Sequence, residues 1–285
     1  MSEQIRIFVP SDAAAVSVGA DAVAAKIMQE AIKRNVDIKL VRIGSRGMLW
    51  LEPLVEIDTS NGRTGFGPIN IDDVPSLFDA LLGQSGQHRL GLGLVESLDW
   101  MKRQNRLTFA RVGLIDPLSI AEFETYGGLA GLRKALALDG HEIVEQVRAS
   151  GLRGRGGAGF PTGIKWKMVH DAQADQKYIV CNADEGDSGT FADRMLMEGD
   201  PFTLIEGMAI AGIAVGATKG YIYLRSEYPH AHRILQRAIS VAKEHGLLGP
   251  SILGSDKNFE LEVRLGAGAY ICGEETSLLE SLEGK

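Results

Sequence analysis

Three glycine-rich clusters carry the residues of this sequence best suited to chemistry. The first, "GLRGRGGAGF" (residues 151–160), is half glycine and contains two arginines and no acid. Glycine has no Cβ and tolerates positive φ, so a ligand can lie directly on its backbone. Thr162 and a helical stretch from about Ile164 follow it. Backbone N–H groups at a helix start make an anion site. Lys165 and the two arginines add positive charge, and a phosphate-bearing ligand is the indicated partner. Standard phosphate templates fit poorly. The pattern G-x-G-x-x-G matches at Gly154, Gly156 and Gly159, but no predicted strand precedes it. Gly151 and Gly156 have Walker A spacing, but Gly157-Ala158 stands where Lys-Ser/Thr is needed.

The second cluster, "CNADEGDSGTFADR" (181–194), follows a predicted strand and offers Asn182, Asp184 and Glu185. Ligands of open α/β sheets sit beyond the carboxyl ends of strands, and such groups suit a heterocycle edge or sugar hydroxyls. The third, "GAGAYICGEETSLLESLEGK" (266–285), repeats the layout of strand, glycine loop and helix. Tyr270 gives an aromatic face, and Glu274 and Glu275 open the helix, where its dipole favours ionised carboxylates. Other signals carry less. "GDSGT" (186–190) resembles a serine-protease segment, but it lies among alternating strands and helices rather than in an all-β region. Gly186 breaks the ligand spacing of an EF-hand. The six histidines form no metal-ligand pair at helical spacing with a carboxylate.

The elements that must position these clusters read in two parts. Residues 5–9, 36–43 and 54–57 read as strands, and Ala20 to Asn35 has helical apolar spacing. Ser60, Asn61 and Gly62 suggest a hairpin turn, and Asp72 can cap a helix carrying Val74, Leu77, Phe78 and Leu81. This order resembles a thioredoxin-like domain over 1–82. A linker is expected over 83–115, beginning with the polar "GQSGQHRLGLG". Helices are expected over 94–150, broken at Asp116-Pro117 and Gly127-Gly128. Beyond them, strands at 177–181, 219–225 and 259–265 alternate with helices at 164–173, 201–216, 229–245 and 275–282. That alternation predicts a largely parallel sheet and a Rossmann-like α/β domain over 116–285.

Composition narrows the function. The net charge of −7, with both signs interspersed, argues against nucleic acid as a partner. No apolar run approaches the roughly 20 residues of a membrane span, so no direct membrane contact is expected. The start "MSEQIRIFV" lacks signal-peptide character, making the cytoplasm the expected compartment. Cys181 and Cys272 alone cannot form a disulfide framework or a four-thiolate metal site, and no metal ligands are expected. Glycine, at 35 of 285 residues, is in marked excess.

In wording and order, the three clusters resemble the flavin-binding subunit of respiratory complex I and its relatives. These include the diaphorase subunits of NAD-reducing hydrogenases and of molybdenum-dependent NAD-linked formate dehydrogenase. The similarity runs from about 115 to 285. It implies that FMN exchanges a hydride with NAD(H), and that electrons then leave singly to a [4Fe-4S] cluster. The resemblance places Gly154, Arg155, Gly156, Lys165, Asn182, Asp184, Glu185, Tyr270, Gly273 and Glu274 at FMN, with Lys165 near its phosphate. It places Phe160 on the NAD adenine and Glu275 on the nicotinamide ribose side. Two departures bear on NAD affinity: Gly186-Asp187 where Ser-Glu is common, and Met168 where a second aromatic is common. The family's cysteine segment for the [4Fe-4S] cluster is not in this sequence, which reads as C-terminally incomplete.

The front domain resembles the thioredoxin-like [2Fe-2S] subunit that partners the flavin subunit. Its four ligand positions align here with Pro10, Ala15, Ser45 and Leu49. Proline, alanine and leucine cannot ligate iron, which implies a docking role. A fused, metal-free front domain favours the diaphorase (β) subunit of NAD-dependent formate dehydrogenase. Its implied partners are a [2Fe-2S] thioredoxin-like subunit and a molybdenum-containing catalytic subunit with iron–sulfur clusters. The hydrogenase diaphorase and complex I are the alternatives of the same class. A docking subunit without active flavin is the alternative outside it.

Overall fold

The computed structural model describes residues 4–83 and 87–285, which form two units. One comprises 1–117 with 198–200, and the other 118–197 with 201–285.

The first unit contains β1 (Ile5–Pro10), α1 (Ala13–Ser17), α2 (Ala20–Arg34), β2 (Ile38–Ile43), β3 (Val55–Thr59) and β4 (Gly62–Phe66). These are followed by α3 (Val74–Leu82), β5 (Gly91–Leu94) and α4 (Asp99–Lys102). The sheet order is β2-β1-β3-β4-β5. β1 and β2 are parallel, and β3, β4 and β5 join antiparallel. The first four strands have the thioredoxin-like arrangement. Alternation along β1 sends its side chains to two cores. Ile7 and Val9 pack with Val23, Ile27, Leu77 and Phe78, while Phe8 packs with Val41 and Ile43. α2 stops where Asn35 turns left-handed (φ 54°), with Lys33 and Arg34 in the last turn against the dipole.

One sequence expectation changes here. Asp72 does not cap α3; the side-chain cap is Asn70, at the start of the 3-10 turn that leads into the helix. Asn70 accepts from the Asp72 amide, and the Asp73 carboxylate accepts from the Asn70 amide. The first unit takes in the expected linker as well, to Pro117. Within the expected linker, β5 pairs with β4, and Val95 and Met101 are buried with Met48 and Leu54. A four-residue strand with two glycines carries too little alternation to be read from sequence. Residues 84–86 of that linker lie outside the described residues.

Of the four positions aligned with iron ligands, Ser45 has a clear task. Its hydroxyl donates to Glu52 Oε1 at 2.6 Å, and the Leu54 amide donates to Glu52 Oε2 at 2.9 Å. Burial pushes the Glu52 carboxyl up to about 7, against the pull of these two bonds. Pro10 ends β1, Ala15 is buried in α1, and Leu49 is exposed in a 3-10 turn.

The second unit contains α5 (Ile120–Thr125), α6 (Ala130–Leu136), α7 (Gly140–Ser150), α8 (Thr162–Asp171), β6 (Tyr178–Ala183) and all but the last two residues of α9 (Ala192–Gly199). After these come α10 (Pro201–Val215), β7 (Lys219–Leu224), α11 (Pro229–Glu244), β8 (Glu260–Leu265) and α12 (Glu275–Leu282). The sheet is β6-β7-β8, parallel throughout, with helical crossovers, as the alternation predicted. The apolar helix α10 packs against β6, β7, α6, α7, α8 and α11. Nine of its fifteen residues are buried, including Phe202, Ile205 and Met208. This makes α10 the central helix of the unit. Asp139 and Glu142 form a reciprocal capping box at the start of α7, and Gly151 ends that helix at φ 69°. The first glycine of the glycine run therefore serves as a helix terminator.

Candidate functional site

Because β6, β7 and β8 are parallel, the segments after all three leave the same edge of the sheet. A cleft of about 740 Å³ opens at that edge, within the range typical of small-molecule sites. The glycine loop supplies Arg155, Gly156 and Gly157 to its wall. The segment after β6 supplies Asn182, Asp184, Glu185, Gly186 and Asp187, and the segment after β8 supplies Tyr270, Gly273 and Glu274. Clusters more than a hundred residues apart in the chain thus share one cavity.

The glycine loop is closed at its neck. The Gly154 amide donates to Phe160 O and the Thr162 amide to Leu152 O, each at 2.9 Å. Arg153 donates to Gly159 O at 2.9 Å. Arg155 points to the cleft, and no side chain caps the start of α8. A Cβ added at Gly156 would meet no atom within 4 Å, and its φ is not left-handed. Neither packing nor backbone conformation requires glycine at this position. The open space in front of it is the cleft, so glycine here keeps the loop backbone accessible to a ligand.

The segment after β6 is held from below. Asn182 donates to Gly273 O at 2.8 Å and accepts from the Asp184 amide at 3.1 Å, tying β6 to the segment after β8. Burial raises the Asp184 carboxyl, Arg225 opposes that, and Glu227 adds to it. Glu185 is 8% exposed and already occupied. Its Oε1 accepts from the Asp193 amide at 3.0 Å, and its Oε2 from the Arg194 amide at 3.2 Å and the Tyr228 hydroxyl at 3.0 Å. The carboxylate therefore caps α9 and ties it to the residue that precedes α11. Expected as a flavin contact, Glu185 lines the cleft but spends its acceptors on the protein.

The third cluster splits in two. Glu274 caps α12, accepting from the Ser277 amide at 3.0 Å, and the backbone bonds from Thr276 and Ser277 hold its carboxyl below the usual range. Glu275, the first residue of α12, pairs with Lys165 of α8 at 2.7 Å. Lys165, Glu275, Gly154 and Phe160 lie outside the cleft lining, and Phe160 is 47% exposed. Tyr270 donates to Asp187 Oδ1 at 2.8 Å.

Sequence reasoning did not select Cys181, Thr190, Asp193, Leu196 and Met197, all of which line the cleft. Four of the five belong to α9 or the turn before it, where the positive φ of Phe191 (52°) redirects the chain into the helix. α9 is amphipathic but only eight residues long, and the acidic, glycine-broken turn before it hides its start. Burial, and then the charge of Asp193, push the Cys181 thiol up to about 12, so it is not a nucleophile near neutral pH. Among the described residues, no group of three or more His, Cys, Asp or Glu can hold a metal ion. No helix of the described residues is long and apolar enough to cross a membrane.

A parallel α/β sheet with glycine loops and a polar cleft at its carboxyl edge is the arrangement in which open α/β domains seat their ligands. Residues 147–285 match the family described as the Nuo51 FMN-binding domain. The chain is 53% identical over 184 residues to the NADP-reducing hydrogenase subunit HndC of Solidesulfovibrio fructosivorans, covering 65% of this chain and 37% of that protein. It is 56% identical over 167 residues to a subunit of the NADH-quinone oxidoreductase of Rhizobium meliloti, covering 58% and 40%. The chain thus spans well under half the length of these curated relatives. A crystal structure of NAD+-reducing [NiFe]-hydrogenase matches with a TM-score of 0.50 and 26% identity, over 100% of this chain and 47% of that one.

Proposed function

We infer that this chain is the FMN- and NAD(H)-binding part of a diaphorase. In this reading a hydride passes between NAD(H) and FMN, and electrons pass singly to iron–sulfur clusters. The observation that carries it is the cleft, which gathers all three glycine-rich clusters within the segment matched to an FMN-binding domain. The residues present fit FMN. The cleft volume suffices, the Gly156 backbone faces open space, and Arg155 adds one positive group beside it. When bound, FMN supplies the switch between two-electron and one-electron transfer.

The protein's own groups bind and orient. Arg155 and the glycine-loop backbone receive a phosphate, with Lys165 behind them. Asn182 and Asp184 offer polar contacts to a sugar chain, and Tyr270 offers an aromatic face. Gly273 leaves room beside Asp184, whose backbone oxygen would lie 3.4 Å from an added Cβ. Glu185 acts by fixing α9, which forms one wall. Phe160 takes the adenine, and Glu275 meets the nicotinamide ribose side. Hydride transfer requires stacked rings at contact distance, so rigid walls serve rate as well as affinity.

The finer assignment is to cytoplasmic NAD-linked formate dehydrogenase, with a molybdenum-containing catalytic subunit and a [2Fe-2S] thioredoxin-like subunit as partners. Its support is the fused front domain with Pro10, Ala15, Ser45 and Leu49 at the ligand positions. A second reading, the diaphorase of an NAD-reducing hydrogenase, is favoured by the match of the entire chain to the hydrogenase structure. The test has two stages. The purified chain should show a flavin absorption band and bind one FMN; no flavin in the chain or after reconstitution would leave only the docking role. Metal analysis of the native assembly should then find molybdenum, whereas nickel would select the hydrogenase.

A further inference from the structure

Tyr270 is 70% exposed yet held at two points. Its hydroxyl donates to Asp187 Oδ1 at 2.8 Å. Its ring lies against Gly186, where an added Cβ would stand 3.0 and 3.1 Å from two ring atoms. Contacts at 3.0–3.4 Å are tighter than nearly all real Cβ contacts, so any larger residue at 186 would press on the ring. Gly186 and Asp187 are adjacent in the chain, so one short segment provides both holds. Tyr270 also borders two cavities. One is the main cleft, and the other is a recess of about 50 Å³ bounded by Asp184, Arg225, Glu227 and Gly268. The ring is therefore a partition, and its orientation decides how wide the cleft is at that wall.

We propose that Asp187 is a positioning residue that clamps the Tyr270 ring against Gly186 and so sets the flavin-facing wall of the cleft. The proposal rests on the flavin-site reading above. Gly186 permits the close approach, and the Asp187 carboxylate reaches the phenol and stops rotation of an otherwise exposed ring. The same bond, with the carboxylate charge, holds the Tyr270 phenol above its ordinary range. Arg155, Asp184, Glu185, Asp193 and Glu274 line the same cleft, but none donates to or accepts from that hydroxyl.

The test measures two quantities on the full chain. FMN affinity is read by flavin fluorescence quenching. The Tyr270 phenol is read by ultraviolet titration, as the difference between each variant and its Tyr270→Phe counterpart. Asp187→Ala should weaken FMN about tenfold, the value of one charge-assisted hydrogen bond, and lower the phenol pKa. Asp187→Asn keeps an acceptor without the charge. It should lower the phenol pKa while FMN affinity stays within about twofold. Gly186→Ala should weaken FMN by displacing the ring. Asp187→Ala should add nothing in a Tyr270→Phe background. Additive losses, or unchanged phenol titration in both Asp187 variants, would overturn the clamp. If the wild-type chain bound no FMN, the flavin reading and this role toward flavin would fall together. The phenol titration would then show separately whether the Tyr270–Asp187 contact itself is real.

Discussion

Replacing Glu185 should destabilise the second unit in a graded way, because three donors converge on one carboxylate. Glu185→Ala leaves the Asp193 amide, the Arg194 amide and the Tyr228 hydroxyl without their acceptor. An unsatisfied buried donor costs about 1–3 kcal/mol. Asp193 lines the cleft, so water can reach its amide, and the total should be about 2–4 kcal/mol. Glu185→Gln should cost less. Its single oxygen serves the Arg194 and Tyr228 side, which holds two donors, and its amide then opposes Asp193 N–H. One bond is lost, together with the anion at the start of α9, for about 1–3 kcal/mol. Tyr228→Phe removes one donor and spares both amides, for about 1 kcal/mol.

The assay is equilibrium urea unfolding followed by Trp166 fluorescence. Of the three tryptophans only Trp166 lies in the second unit, so Trp50 and Trp100 are first changed to phenylalanine. The expected order of loss is Ala, then Gln, then Tyr228→Phe. An alkaline arm adds a sign. Burial, followed by the Glu185 charge and hydrogen bond, pushes Tyr228 up to about 12. The folded state thus favours the neutral phenol. That stabilisation is complete below the ordinary value near 10 and fades as pH rises from there through about 12. Tyr228→Phe should lack this loss. Glu185→Ala and Glu185→Gln both unfolding within about 0.5 kcal/mol of wild type, the usual span for inconsequential surface changes, would refute the scaffold role.

Three further outcomes follow from single residues. Gly156→Val should leave the unfolding midpoint unchanged and abolish FMN retention, because its side chain enters open cleft rather than packed protein; a flavinated variant would show that the loop backbone does not face the ligand. Glu52→Gln should be the more stable protein at pH 8. The raised carboxyl contributes fully below 4.5 and loses on the order of 3 kcal/mol as pH rises through about 7, and urea midpoints across that window check the sign. Glu275→Gln should keep FMN and leave stability nearly unchanged, since an exposed pair is worth about 0–1 kcal/mol. It should change the NADH KM in a ferricyanide assay, and loss of FMN instead would place Glu275 in the flavin site.

The parallel sheet was legible because its strands are apolar runs separated by helical periods. All three were predicted within two residues of their bounds. The thioredoxin-like order was legible for the same reason. β5 and α9 were not, because one is a glycine-interrupted four-residue strand and the other grows out of an acidic loop. Their existence depends on a partner: β4 for the first, the Glu185 carboxylate for the second. The chemical types that gather at the cleft could be read from the sequence, but their allegiances could not. Four acidic residues of the two later clusters, Asp184, Glu185, Glu274 and Glu275, read alike as ligand contacts. Glu185 proves to be committed to two backbone amides and a tyrosine, Glu274 to its own helix start, and Glu275 to Lys165.

Glycine shows the same limit from the other side. Gly151, Gly156 and Gly186 belong to similar-looking runs, yet each is glycine for a different reason. Gly151 turns left-handed to end a helix, Gly156 leaves a backbone uncovered, and Gly186 admits an aromatic ring. The three reasons predict different results for one substitution. Alanine at 151 should strain the backbone and lower stability without altering the cleft. Alanine at 156 should be tolerated by the fold and felt only by a bound ligand. Alanine at 186 should move Tyr270, and through it the wall that ligand meets. A composition count treats these glycines as equivalent, and only what surrounds each missing Cβ separates a structural glycine from a functional one.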